Sequence, residues 1–193
     1  MRKLAVAVSL LVAIGLMTLA AAAFADRGHG HHGGNGGMKF SARLSGWEET
    51  PANSTPGRGT FKARIVNGDT IHYKLHYQGF ESAEGDTLFA HIHFGQKDVA
   101  GGVAAFLCGG GGKPACTPTE GTFEGDITAS DIIGPTGQGI APGEMDEVLN
   151  AMVKGFVYAN VHTTLHPAGL IRGQVHRGAG HGHGDDDGGG GHH

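Results

Sequence analysis

Thr87-Leu88-Phe89-Ala90-His91-Ile92-His93-Phe94-Gly95 alternates in a way that only an extended strand can use. Successive strand side chains point to opposite faces, so Ala90, Ile92 and Phe94 share one face and Phe89, His91 and His93 share the other. The first face is apolar and suits a core. The second carries two imidazoles at i and i+2, with Cα atoms roughly 6–7 Å apart at a rise of about 3.3 Å per residue. That spacing lets both reach one metal ion.

A second stretch, Gly155 to Thr163, answers the first. Val157, Ala159 and Val161 form its apolar face, and Tyr158, Asn160 and His162 fall on the other. If the two strands lie close in one sheet, His162 completes a three-imidazole set with His91 and His93. Such a set suits copper or zinc, with a fourth position for water, His166 or a ligand. The competing reading is a solvated polar face on which the alternating histidines bind nothing.

Outward from these strands, the chain divides by composition. Residues 1–25 read as a secretory signal peptide: Arg2 and Lys3, an apolar run from Leu4 to Ala23, then Ala23-Phe24-Ala25 as the cleavage pattern. The mature chain is thus expected to be exported, periplasmic or secreted, with no membrane attachment after cleavage. Arg2 and Lys3 leave with the leader, so 12 of the 14 Lys and Arg face all 18 Asp and Glu, a balance of −6 with His neutral. That balance argues against nucleic acid as a partner. Residues 26–37 and 178–193 are almost entirely Gly, His and Asp and read as disordered tails. One domain, 38–177, lies between them and is long enough for a single core.

Within that domain Phe40, Ala42 and Leu44 alternate with Lys39, Ser41 and Arg43, and a strand from Gly59 to Val66 meets Asn67-Gly68, a strong hairpin signal. The next strand, Thr70 to Gln78, turns Ile71, Tyr73, Leu75 and Tyr77 inward. His72 and His76 on its other face are about 13 Å apart, too far for one metal. Short strands follow at 103–107, 122–128 and 169–176. Met145, Val148, Leu149 and Met152 have the i, i+3, i+4, i+7 spacing of one short helix over 144–154. Cys108 and Cys116 close a Gly-rich loop and, in an exported chain, read as a disulfide. About eight short strands with turn signals between them predict an all-β fold, an antiparallel β-sandwich or flattened barrel. No Gly-rich phosphate loop and no Gly-x-Ser-x-Gly elbow is present.

Three segments then carry a resemblance. Leu44-Ser45-Gly46-Trp47-Glu48-Glu49-Thr50-Pro51, Ala90-His91-Ile92-His93, and Tyr158 to Thr163 followed by Pro167 to Gln174 resemble the signature segments of the CHRD (chordin-type) domain, in the same order. The resemblance spans Phe40 to Val175. It departs at Phe94, where the family usually has Gly, and at Gly169-Leu170, where it usually has Gly-Glu. It implies a β-sandwich and an extracytoplasmic place, and it implies no settled activity. The run His91 to Gly95 is also similar to the copper strand of copper-zinc superoxide dismutases. No histidine lies between His93 and His162, so a binuclear site is excluded on ligand count, whereas a mononuclear copper site is not.

Three functions follow. The first is a metal-binding module using His91, His93 and His162, with His166 as a fourth candidate. The second is a domain that binds an extracytoplasmic protein or polymer through its histidine surface, without metal. The third is a mononuclear copper redox enzyme, which ranks last, so that no catalytic residue is assigned. Glu49 and Arg172 are expected either to pair and orient the histidines from behind or to stand as two exposed charges.

Overall fold

The computed structural model describes residues 37–178. The leader at 1–25 and all but one residue of each tail, 26–37 and 178–193, lie outside the described residues. Strand β1 (Lys39–Ser45) pairs antiparallel with β2 (Arg58–Val66), and β2 with β3 (Thr70–Gln78). Asn67 and Gly68, at φ 54° and 85°, make the tight turn that joins β2 to β3. The remaining strands are β4 (Thr87–Phe94), β5 (Gly102–Cys108), β6 (Gly121–Ile127), β7 (Val157–Thr163), β8 (Ile171–Gln174) and the two-residue β9 (His176–Arg177). Side by side they run β5-β4-β7-β8-β1-β2-β3-β6, with β9 on β1, and every pairing is antiparallel. The result is a nearly closed, flattened eight-stranded barrel, as the alternation predicts.

Period-two patterning builds the core. Phe40, Ala42 and Leu44, Phe61, Ala63 and Ile65, and Ile71, Tyr73, Leu75 and Tyr77 all point inside and are buried. Tyr73 keeps its hydroxyl satisfied by donating to the Leu107 carbonyl at 2.7 Å, which ties β3 to β5 across the barrel. Helix α1 (Met145–Val153) forms one residue inside each expected end and buries Met145, Val148 and Met152. Asp146 and Glu147 occupy its first turn, where the helix dipole favours negative charge. Cys108, buried at the end of β5, is bonded to Cys116 with Cα atoms 5.2 Å apart. No described helix is long and apolar enough to cross a membrane.

One expectation fails in an instructive place. The strand predicted over 169–176 starts only at Ile171 and is interrupted at Val175, with β8 and β9 both lying along β1 in one register (Ser45↔Arg172, Ser41↔His176). Its alternation also does not separate wet from dry residues. Every residue of β7 and of β8 is buried, since loops cover the face that patterning alone leaves to solvent.

Candidate metal centre

Strands β4 and β7 are neighbours, in the register Phe89↔His162, His91↔Asn160 and His93↔Tyr158. This pairing puts β4's odd positions and β7's even positions on one face. His162 therefore sits diagonal to His91, within the reach of cross-strand side chains. On its other edge β4 pairs with β5 through two register shifts, after Ala90 and after Ile92. Such bulges turn side chains away from regular pleat directions at the two histidines. The imidazole centroids lie 5.3 Å (His91–His93), 4.9 Å (His91–His162) and 5.6 Å (His93–His162) apart. One nitrogen from each ring falls within 4.8 Å of the other two.

The expectation of a histidine surface is overturned. His91, His93 and His162 are only 6%, 6% and 5% exposed, although strand parity places them on the expected face. His93 Nδ1 donates to the Gly101 carbonyl at 3.0 Å, and His162 Nδ1 to the Pro167 carbonyl at 3.1 Å. These bonds fix each tautomer with its proton on Nδ1 and leave Nε2 with a free lone pair. His93 Nε2, His162 Nε2 and His91 Nδ1 are buried without any protein partner. Phe89 and Phe106 pack against His91, with centroids 5.5 and 4.4 Å away, so the cluster has one apolar wall.

The other wall is polar. Tyr158 stacks on His93 at 4.7 Å, and the Arg172 guanidinium lies 3.7 Å over the far side of the same system, on the Tyr158 ring. Arg172 is 2% exposed and donates to Thr50 Oγ1 (3.0 Å) and to the carbonyls of Val99 (3.1 Å) and Gln96 (3.4 Å). It thereby clamps two loops over the histidine face. Glu49 is also buried, but no Glu49–Arg172 ion pair forms; its Oε1 is unpartnered, as is Asn160 Oδ1. The pair expected from sequence is thus neither a salt bridge nor a pair of exposed charges. Both acceptors crowd Gly169, where an added Cβ would lie 2.7 Å from Glu49 Oε1 and 2.8 Å from Asn160 Oδ1. Its φ of 135° also suits only glycine. His166 stands apart, half-buried in the turn after β7 and outside the three-imidazole group. His72 and His76 are apart from it too: His72 meets Asp126 and Glu124, and His76 contacts Thr122.

Burial sets the electrostatics. Loss of solvent, reinforced by the two neighbouring imidazoles, pushes His91 down to about 3. Desolvation likewise takes His93 to about 4 against the opposing Gly101 bond, and lowers His162. Desolvation raises Glu49 to about 7, with nearby Arg172 pulling the other way. The imidazoles are therefore neutral at neutral pH. Since each is harder to protonate folded than unfolded, the metal-free domain is expected to lose stability as pH falls from about 6.5 through about 4. Each tenfold suppression of protonation contributes about 1.4 kcal/mol. Glu49 acts oppositely, gaining stability as pH falls from about 7 to 4.5, but one carboxyl does not offset three imidazoles. Urea midpoints measured from pH 7 to 4 check the sign; a flat profile would mean that the cluster opens to water.

A flattened antiparallel barrel with a lidded three-histidine cluster on one face is the class of molecule that these features define. The CHRD domain family model matches residues 40–175, well over half of the chain. The chain belongs to the CHRD domain family. Among solved structures, a mutant form of Candida albicans superoxide dismutase 5 is similar at 15% identity, with 76% of this chain and 96% of that one covered and a TM-score of 0.44. No curated protein matches the chain.

Proposed function

We propose that this is an exported metal-binding module that holds one copper or zinc ion with His91, His93 and His162. The observation that carries the reading is the set of partnerless imidazole nitrogens: three buried rings converge, two of them oriented by carbonyls, and each keeps a lone pair that no protein group uses. A buried acceptor without a partner is costly, on the order of 1–3 kcal/mol, unless something occupies it. Carbonyl-oriented imidazoles are the usual support for metal-ligating histidines. With metal–nitrogen bonds of about 2.0–2.1 Å, tetrahedral ligands stand about 3.3 Å apart, so nitrogens within 4.8 Å need to close by about 1.5 Å at most.

The burial of the three rings disfavours a role for them as an adhesive surface, because a macromolecule has no access to a face under two clamped loops. A bound copper would supply one-electron chemistry and a bound zinc a Lewis acid. The chain itself contributes orientation, through the Gly101 and Pro167 carbonyls, and exclusion of water, through the loops that Arg172 holds. The disulfide accords with an oxidising compartment and so with export.

The test is metal analysis and calorimetric titration of the domain 38–177, prepared without nickel resin because His29, His31, His32, His181, His183, His192 and His193 outside it would also bind ions. One ion per chain is expected, with copper held more tightly than zinc by the usual affinity order. Absence of any stoichiometric binding would sink the reading.

A further inference from the structure

We propose a second binding surface: the outer face of β1, β2 and β3 is a docking site for a linear acidic polysaccharide. Strands β1 and β2 together place Lys39, Arg43, Arg58, Lys62 and Arg64 on this face and contain no Asp or Glu. All five are exposed, and none forms an ion pair with a described carboxylate. The register makes the arrangement more pointed. Lys39 lies directly opposite Arg64, and Lys62 directly opposite Lys74.

Like charges directly opposite across a ladder destabilise a sheet. Of the acidic side chains at this face, Glu124 and Asp126 stand on the edge strand β6 and meet His72 and Lys74 at 2.7–3.3 Å, and Glu48, just past β1 and beside Arg43 and Lys62, lies 3.7 Å from Lys97; none pairs with a cation of β1 or β2. Charges have therefore been sorted by strand in a chain whose overall balance is negative. An open groove of about 410 Å³ runs over this area, bordered by Lys39, Lys62, Arg64, His72 and Lys74, with Glu124, paired to His72 and Lys74, as its one carboxylate. Sites repeat at about 6–7 Å along a strand and about 5 Å across strands, a grid that repeated anionic groups on an extended polymer can follow.

The neutral residues choose among polyanions. Between the cations stand Ser41, Thr60 and Gln78, which exchange hydrogen bonds with hydroxyl groups. No Phe, Tyr or Trp of β1–β3 points outward, so the strands themselves offer no platform on which nucleic-acid bases would stack and no apolar wedge for a bilayer; the exposed Trp47 stands beyond the end of β1. Sulfate or carboxylate groups on a sugar chain fit what remains. This surface is independent of the histidine cluster.

The test uses the full chain, metal-free at pH 7.5, titrated with a sulfated heparin oligosaccharide, an oligouronate, single-stranded DNA and anionic phosphatidylglycerol vesicles. Either sugar probe is expected to bind, with affinity falling steeply as salt rises. The comparison of the two identifies the anionic group. Lys62→Gln combined with Arg64→Gln should weaken that binding at least about tenfold, without lowering the melting temperature, since it removes repulsion. Lys154→Gln, at the end of α1, should change nothing. Equal binding by the double variant, a clear preference for DNA or vesicles, or no sugar binding would each overturn the proposal. So would sugar binding gained only after Asp185, Asp186 and Asp187 are changed to Asn, which would give the face to the chain's own acidic run.

Discussion

Replacing His91 by Leu is expected to hold or raise the stability of the metal-free domain while lowering its copper affinity by at least about 100-fold. The loss follows from ligand count: a residue that merely orients a ligand is worth 10–100-fold, and His91 would supply a bond itself. The gain in stability follows from the cost of His91 as it stands. Its Nδ1 is buried without a partner between Phe89 and Phe106, and a side chain of similar volume without that atom removes a penalty of about 1–3 kcal/mol. A histidine kept only for packing would show the opposite pattern, stability lost and binding unchanged, so the two readings separate in one variant. His162→Ala should lose binding to a similar degree, though with a cavity cost of its own. The depressed imidazoles also reset the pH dependence. Protons compete with the metal at an ordinary histidine site below about 6.5, whereas rings pushed to about 3 and 4 should keep their ion at pH 5. Calorimetry at pH 7 and 5 reads both effects; a variant that still binds one ion at full affinity defeats the assignment.

How far these residues were legible in the sequence depends on what each step required. Parity needs only the period of a strand, and the shared face of His91 and His93, like that of Tyr158, Asn160 and His162, follows from it. The inward set Ile71, Tyr73, Leu75 and Tyr77 and the turn at Asn67-Gly68 are equally local. Adjacency of β4 and β7 is not local: they are separated by β5, β6 and α1, and it rests on which edges pair. From sequence it therefore enters only as a condition, under which His162 joins His91 and His93. Exposure is not local either. A polar face reads as wet unless something covers it, and the cover comes from loops near Glu49 and Gln96 whose course no periodicity reveals. One signal was available: Arg172 stands among Leu170, Ile171 and Gly173, in a strand otherwise suited to burial, and a cation there requires built acceptors.

Those acceptors make Arg172→Met the most disruptive substitution expected outside the histidines. Met keeps much of the volume but removes every donor, so the Val99 and Gln96 carbonyls and the Thr50 hydroxyl lose their part-buried bonds to the guanidinium. Apolar replacement of a buried charge is sometimes neutral when both partners go, but here the acceptors are mostly backbone atoms that remain. A loss of about 3 kcal/mol is expected, read as a lowered urea midpoint. The effect should also travel to the histidines. Gly101, whose carbonyl orients His93, ends the same loop that Arg172 holds through Gln96 and Val99, so freeing the loop should weaken metal binding by about 10–100-fold. Arg172→Lys keeps the charge without the planar fork and should fall between the two. Hydrogen exchange over residues 96–101 provides the discriminating readout. Faster exchange together with weaker binding supports the clamp, and unchanged exchange with unchanged affinity would show that Arg172 holds nothing the site depends on.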